Sequence, residues 1–165
     1  MKIRMHVAGA AAVLALAGAL AAPASAAPSD ADWRSHYTKA EVRKGGGAAE
    51  GSGARALGAQ SYNLTRYGYT GTFQDGSRVM DVNWFGSGRY ESFGIAPGRS
   101  IWHAWPGSGS WKQMPNGGLA DDTSNAYENR STGQRVVEVW VAGSNSLWCI
   151  SDPGNGVWGG WWNCT

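Results

Sequence analysis

From residue 61 onward the chain alternates in the manner of extended backbone. Within residues 135–141, Val137, Val139 and Val141 fall on one side and Val136, Glu138 and Trp140 on the other, which is the period of two that a strand imposes. Both sides carry apolar residues, so a sheet of such strands has to be covered on both faces. The same signal predicts short strands at residues 79–85, 89–95, 101–105 and 111–114, and again at 125–130, 135–141, 147–150 and 157–162. The gaps hold Gly86-Ser87-Gly88, Pro97-Gly98, Gly107-Ser108-Gly109, Gly143-Ser144-Asn145 and Pro153-Gly154-Asn155-Gly156. Gly and Asn accept the positive φ that tight hairpin turns require.

These two sets of four strands repeat one another. Residues 89–102 read RYESFGIAPGRSIW and residues 135–148 read RVVEVWVAGSNSLW. At an ungapped offset of 46, Arg89/Arg135, Ala96/Ala142, Ser100/Ser146 and Trp102/Trp148 are identical, and Phe93/Val139, Ile95/Val141 and Ile101/Leu147 keep an apolar role. Trp111 aligns with Trp158 after one inserted residue. A unit of this length used twice stacks on its own copy, and a four-stranded sheet apolar on both faces reads as a propeller blade. The expected fold is all-β: two tandem four-stranded antiparallel blade-like sheets, a partial β-propeller, with units at about 79–115 and 124–164 inside a β-repeat domain at 61–165. Two blades leave outer faces bare, where Tyr90 and Trp140 would sit. Three arrangements would cover them: a homo-oligomer that completes a ring, a sandwich of the two sheets, or cover from the aromatic segment 62–73.

The N-terminal part has a different character. Lys2 and Arg4 precede an Ala/Leu/Gly/Val run over residues 7–22, followed by Ala24-Ser25-Ala26, the layout of a secretory signal peptide at residues 1–26. The alternative is an uncleaved membrane anchor. Residues 27–60 contain Gly45-Gly46-Gly47 and an Ala/Gly/Ser/Glu run without alternation, and read as a flexible or disordered arm. Asp30 can cap a short helix over residues 30–43.

Charge and cysteine usage narrow the partners. Lys and Arg number 14 against 12 Asp and Glu; loss of Lys2 and Arg4 with the leader makes the balance 12 against 12, so there is no electrostatic footprint for nucleic acid or anionic membrane. The expected location is extracellular, with no membrane insertion after cleavage. Cys149 and Cys164 are then free to form a disulfide. Zinc is disfavoured, because no second cysteine pair or histidine pair accompanies them, and no metal or cofactor is expected.

The run Gly133-Gln134-Arg135-Val136-Val137-Glu138-Val139-Trp140-Val141-Ala142-Gly143, followed by Leu147-Trp148, resembles the blade repeat of PLL-like bacterial β-propeller lectins. Gly88-Arg89-Tyr90-Glu91-Ser92-Phe93, Ile101-Trp102-His103 and Trp111 fit the same frame, and Trp158, Trp161 and Trp162 fit its Trp-rich last strand. The likeness spans residues 79–163. In size and layout the chain is also similar to small fucose lectins with two blades per chain, which close a ring by trimerisation and read fucose with an Arg, a Glu and a Trp. Arg89 and Arg135 match the Arg, whereas Ser100 and Ser146 stand where the third strand would carry Glu. The resemblance implies a glycan or glycoconjugate as partner and does not carry fucose specificity with it.

Ten tryptophans fit such a partner. The C–H face of a pyranose packs on an aromatic ring while its hydroxyls seek side-chain hydrogen bonds. The candidate ligand contacts are Trp102, His103, Trp105, Trp111, Trp148, Trp158, Trp161, Arg89 and Arg135. Each Trp is equally suited to filling space between sheets, and His103 to satisfying a backbone carbonyl. Asp121-Asp122 offers the paired carboxylates that calcium or acid–base chemistry uses, but its flanks lack further ligands and residues 123–125 read as a turn. No nucleophile elbow, phosphate loop or metal-binding helix motif is present, so no enzyme is expected. The sequence points to a secreted, lectin-like carbohydrate-binding protein with Trp-lined sites between blades. The alternative is a non-catalytic cell-surface structural or interaction protein, or a secreted inhibitor, that binds a protein partner.

Overall fold

A computed structural model of the chain describes residues 33–36, 38–39, 41–45, 61–85 and 89–165. The proposed signal peptide, the Gly86-Ser87-Gly88 turn and most of the proposed arm lie outside the described residues. The described chain is all-β and forms no closed propeller. Its strands are β1 (Thr38–Lys39), β2 (Glu41–Gly45), β3 (Ser61–Arg66), β4 (Tyr69–Gln74), β5 (Val79–Trp84), β6 (Arg89–Ile95), β7 (Ile101–Ala104), β8 (Lys112–Gln113), β9 (Asp122–Asn129), β10 (Gln134–Val141), β11 (Ser146–Asp152) and β12 (Trp161–Asn163).

The two predicted sheets exist, and each has five strands rather than four. Sheet 1 has the order β2-β5-β6-β7-β8 and sheet 2 the order β1-β9-β10-β11-β12, antiparallel throughout. The fifth strand of each comes from the segment expected as an arm. Thr38 and Lys39 pair with Glu128 and Tyr127, and residues 41–45 pair with residues 79–83. The short helix expected over 30–43 is replaced by a single 3-10 turn at Trp33–His36 and these two strands. Open sheet edges offer rows of unpaired N–H and C=O groups, and filling them outweighs a weak helical preference. Asp122–Asn129 is strand from its first residue, so the turn expected at residues 123–125 does not form.

The sheets pack face to face. Met80, Val82, Trp84, Phe93, Ile95 and Ile101 of sheet 1 meet Ala126, Val137, Val139 and Ile150 of sheet 2 in one buried cluster. Each large side chain fully withdrawn from water there stabilises the fold by about 1.5–3 kcal/mol. The β3–β4 hairpin forms a third layer on the opposite face of sheet 1, where Phe73 packs with Val79, Ala104 and Trp111. Its outer face is polar, closed by Thr65–Thr70 and Asn63–Thr72 hydrogen bonds. Of the three ways to cover the outer faces, the aromatic segment therefore serves sheet 1. On sheet 2, Val136 is buried with the Cys149–Cys164 disulfide, beside Tyr127, Leu147 and Trp162, and Arg34 reaches across to Glu138 and to the Cys164 carbonyl at 2.6 and 2.7 Å. Trp140 stays 38 % exposed at the edge of that face.

Register shows where the repeat slips. Trp102 pairs with Gly94, and Trp148 with Val139. The offset is thus 46 on the third strand and 45 on the second. Three residues, 97–99, separate Ala96 from Ser100, whereas four, 142–145, separate the paired Val141 and Ser146. A shift of one residue turns every side chain to the other face. Arg135 consequently points into the space between the sheets, and its structural counterpart is Tyr90 rather than Arg89. Trp148 pairs with Asn163 as Trp102 pairs with Gln113, so the counterpart of Trp111 is Trp161, not Trp158.

Candidate functional site

Trp102 and Trp148 occupy equivalent places. In each, the indole Nε1–H donates to the hydroxyl of the serine two residues earlier, Trp102 to Ser100 at 2.9 Å and Trp148 to Ser146 at 3.1 Å. Residues two apart share a strand face, so this local bond sets the ring orientation in both units. Each ring is half-buried and faces the layer that precedes its own sheet.

A cleft opens at each of these interfaces. The first, of about 340 Å³, lies between the hairpin and sheet 1, with Trp102, Trp111 and Ser110 facing residues 70–73. The second, of about 440 Å³, lies between sheet 1 and sheet 2, with Trp148, Trp161 and Ser144 facing Arg99 and residues 116–119. Both volumes fall within the roughly 300–1,000 Å³ of small-ligand sites.

The partner tryptophans are held alike. Trp111 Nε1–H crosses to the Tyr69 carbonyl at 3.0 Å, and Trp161 Nε1–H crosses to the Pro115 carbonyl at 3.1 Å. Each ring lies close to a glycine of the facing layer, Trp111 to Gly71 and Trp161 to Gly118. The first cleft is the more filled, because Trp111 is buried and makes an edge-to-face contact with Phe73 at 4.7 Å. In the second, Trp148 and Trp161 are both half-buried, and Leu119 stands exposed at the rim. All four indole N–H groups have protein acceptors, so these rings present carbon faces and edges to the cleft.

Fixed polar groups surround the second cleft. Arg99 adopts φ 66°, and its Nε and Nη2 both donate to the Asp121 carboxylate at 2.9 Å. Asp121 also accepts the Ala142 N–H at 2.7 Å. Asn116, another left-handed residue, donates from Nδ2 to the Gly159 carbonyl and ties the turn of sheet 1 to the last loop of sheet 2. Ser144 shares a hydrogen bond with Ser146, which in turn accepts from Trp148.

The remaining candidates are elsewhere. His103 Nδ1 bonds Glu91 at 2.7 Å, and Glu91 also accepts from Trp84 Nε1 at 2.9 Å and from Arg135 at 3.0 Å. Arg135 donates further to Asp152, whose other oxygen accepts the N–H groups of Gly154, Asn155 and Gly156. The Arg135 guanidinium sits 5.2 Å from the ring centres of both Trp84 and Trp158. Trp158 also meets Phe93 edge-on, and Trp105 lies 5.0 Å from His103. Arg135, His103 and Trp158 are each 7 % exposed, so this cluster ties the sheets together. Arg89 stands exposed at the start of β6, opposite Trp84. The structure thus gathers Trp102 with Trp111, and Trp148 with Trp161, and separates them from His103, Trp105, Trp158, Arg135 and Arg89.

Asp121 and Asp122, weighed from sequence as calcium ligands, are engaged by Arg99 and Arg78 respectively. Glu138 lies with Cys149 and Cys164 within 4.8 Å, but both sulfurs are joined in the disulfide. Sequence reasoning missed Arg99, Asn116, Gly118 and Ser144. The only available signal was the repeated Ser-x-Trp spacing of Ser100/Trp102 and Ser146/Trp148. No family model matches the chain, and no curated protein or solved structure matches it.

Proposed function

We propose that the protein is a secreted, non-catalytic carbohydrate-binding protein whose principal site is the cleft between the two sheets, walled by Trp148 and Trp161. The observation that carries this reading is the repeated arrangement of paired indoles. At two successive layer interfaces, two tryptophans have their N–H groups tied to the protein and turn apolar surface toward an open cleft. A pyranose C–H face is suited to such surface, and Arg99 and Ser144 are placed to meet hydroxyls at the margin. The sheets are then blade-like units, and the resemblance of residues 79–163 to propeller-lectin repeats agrees with ligands seated between them. Arg135, His103 and Trp158 have their polar groups or faces committed between the sheets and play no part in this site. The Trp102–Trp111 cleft is a second, tighter copy. Weak sites of this kind gain apparent strength when several act together, and a homo-oligomer that covers Trp140 would multiply them.

One observation favours the alternative of a protein-binding module: Trp140 is an exposed apolar side chain outside the paired-indole arrangement. A glycan screen with wild type, Trp148→Ala, Trp161→Ala and Trp140→Ala separates the two. Saturable glycan binding that falls at least about tenfold in the first two variants and persists in the third supports the sugar site, a loss on the order of a stacking contact. Absence of any glycan ligand, with a protein partner captured through Trp140, would establish the alternative.

A further inference from the structure

We propose that Asp121 is a specificity-determining residue that restricts the inter-sheet cleft to uncharged ligands by neutralising its one cationic side chain; the identity of that ligand as a sugar rests on the proposed function. Among the described residues lining this cleft, Arg99 alone carries a charge. Its guanidinium is held in the bidentate geometry that makes Arg–carboxylate pairs directional, with Nε and Nη2 both 2.9 Å from the two Asp121 oxygens. The carboxylate is itself fixed. Asp121 accepts the Ala142 N–H at 2.7 Å, and its own backbone N–H donates to the Trp140 carbonyl at 2.9 Å.

The pair bridges the two sheets at the cleft. Arg99 belongs to the β6–β7 turn of sheet 1, and Asp121 immediately precedes β9 of sheet 2. Arg99 holds a left-handed conformation, φ 66°, which non-glycine residues seldom adopt. Its turn is fixed by Arg99 N–H to Ala96 and Ala120 N–H to Arg99. The remaining polar lining groups, Asn116 and Ser144, are neutral. An incoming carboxylate would have to compete with Asp121 for the guanidinium and lie close to a like charge. A hydroxyl meets no such opposition and can take Nη1, which the Asp121 pairing does not use, as donor. Removing the aspartate charge while leaving the arginine converts the rim into an anion site.

The test uses the full protein, with methyl glucoside, methyl glucuronide and inorganic sulfate as probes, and compares wild type, Asp121→Asn and the double variant Arg99→Asn/Asp121→Asn by calorimetry. Asparagine tolerates the left-handed backbone at position 99. The expected result is that Asp121→Asn gains at least about tenfold for glucuronide and sulfate, the scale of one charge-assisted hydrogen bond. The gain weakens as salt is raised and vanishes in the double variant. Equal binding of glucoside and glucuronide by wild type, or an Asp121→Asn protein that takes neither anion, overturns the inference. Anion capture by Asp121→Asn from a protein that binds no neutral saccharide sinks the carbohydrate reading and leaves the charge gate standing. Should Asp121→Asn fail to fold, the exposed-side variant Arg99→Asn reads the same pair in reverse: it leaves Asp121 unneutralised and should favour methyl glucosaminide over methyl glucoside, and equal binding of the two overturns the inference.

Discussion

The indole of Trp161 lies on Gly118 so closely that a Cβ at position 118 would sit 2.4 Å from Cε2 and Nε1 of the ring. Glycine at this point of the β8–β9 connection is what lets a ring of sheet 2 come near enough for its N–H to reach Pro115. Gly118→Ala should therefore tilt Trp161 out of the cleft wall. We expect a stability loss of about 1–3 kcal/mol, the range for overpacking, together with weakened ligand binding. Gly98→Ala, where no atom lies within 4 Å of the added Cβ, should leave both unchanged. Thermal melts and indole fluorescence of the two variants check this.

The ion network between the sheets yields a second prediction. Arg135 is shared by Glu91 of sheet 1 and Asp152 of sheet 2. Removing it with Arg135→Ala leaves two buried carboxylates without their cation, which is destabilising by about 3–5 kcal/mol. Arg89→Ala, at the position aligned with it in sequence but exposed, should shift the urea midpoint little. A large loss from Arg89→Ala and none from Arg135→Ala would contradict the assignment of Arg135 as the inter-sheet tie.

Acid should act through Glu138. Burial raises its pKa, but hydrogen bonds from Arg34, Asn125 and Ser124 outweigh burial and hold it below the usual glutamate value. The β-bulge opposite Glu138 and Val139 brings Ser124 and Asn125 to the same oxygen, at 2.7 and 2.9 Å. A lowered folded pKa contributes stability that is complete above the ordinary value of 4.5 and is lost as pH falls through the folded value. Urea midpoints should drop below that pH in wild type. In Glu138→Gln the drop should be shallower, from a lower starting stability.

Alkaline pH should act through the phenols. Burial raises the pKa of Tyr62, Tyr67 and Tyr127 above the ordinary value of 10.0, and the hydrogen bonds of Tyr62 to Ser77, Tyr67 to Ser92 and Tyr127 to Arg34 and Asn125 offset this only in part. Stability from such groups is present below that value and declines as pH rises through their folded values. Phenolate absorbance from these groups should therefore appear late and coincide with loss of the hairpin contact at Tyr62 and Tyr67 and of the Arg34 contact at Tyr127. Full ionisation at the ordinary pKa, without unfolding, would contradict their burial.

The disulfide supports the cleft from behind. Cys149 and Cys164 close a segment of separation 15 that contains both Trp158 and Trp161, worth about 3 kcal/mol by loop-closure entropy. Cys149→Ser/Cys164→Ser should melt earlier and bind ligand more weakly, since the short strand β12, joined to β11 by three residue pairs, then loses its covalent tie. Unchanged binding in a folded double variant would show that Trp161 does not depend on this tie.

Strand positions were legible because alternation and glycine turns mark them locally; residues 89–95 are strand as read. The register of the repeat was not. Phe93 and Val139 share an apolar role at offset 46, yet they lie on opposite faces of the repeated unit, because the turn before β11 holds one residue more. Sheets covered on both faces carry apolar residues on both, so the usual penalty for a slipped alignment leaves no mark in the sequence. Trp158 looked like the counterpart of Trp111 for the same reason. The edge strands at residues 38–45 were hidden because their partners lie about 35–90 positions away and only the folded sheet edges create the demand for them. Of the site, Trp102, Trp111, Trp148 and Trp161 were foreseen by residue type. Arg99 was not, and Asp121 was weighed only as a calcium or acid–base candidate, since the pairing of the two spans both sheets.

Whether the cleft between the sheets receives a sugar ring is the central point. The most direct measurement is a titration of the protein with a neutral glycan from the screen, followed by the indole N–H resonances in a nitrogen–proton correlation spectrum. With a sugar in the cleft, the Trp148 and Trp161 signals shift together and saturate while that of Trp140 stays in place. Saturable binding that moves Trp140 or Trp105 and leaves Trp148 and Trp161 still would contradict it.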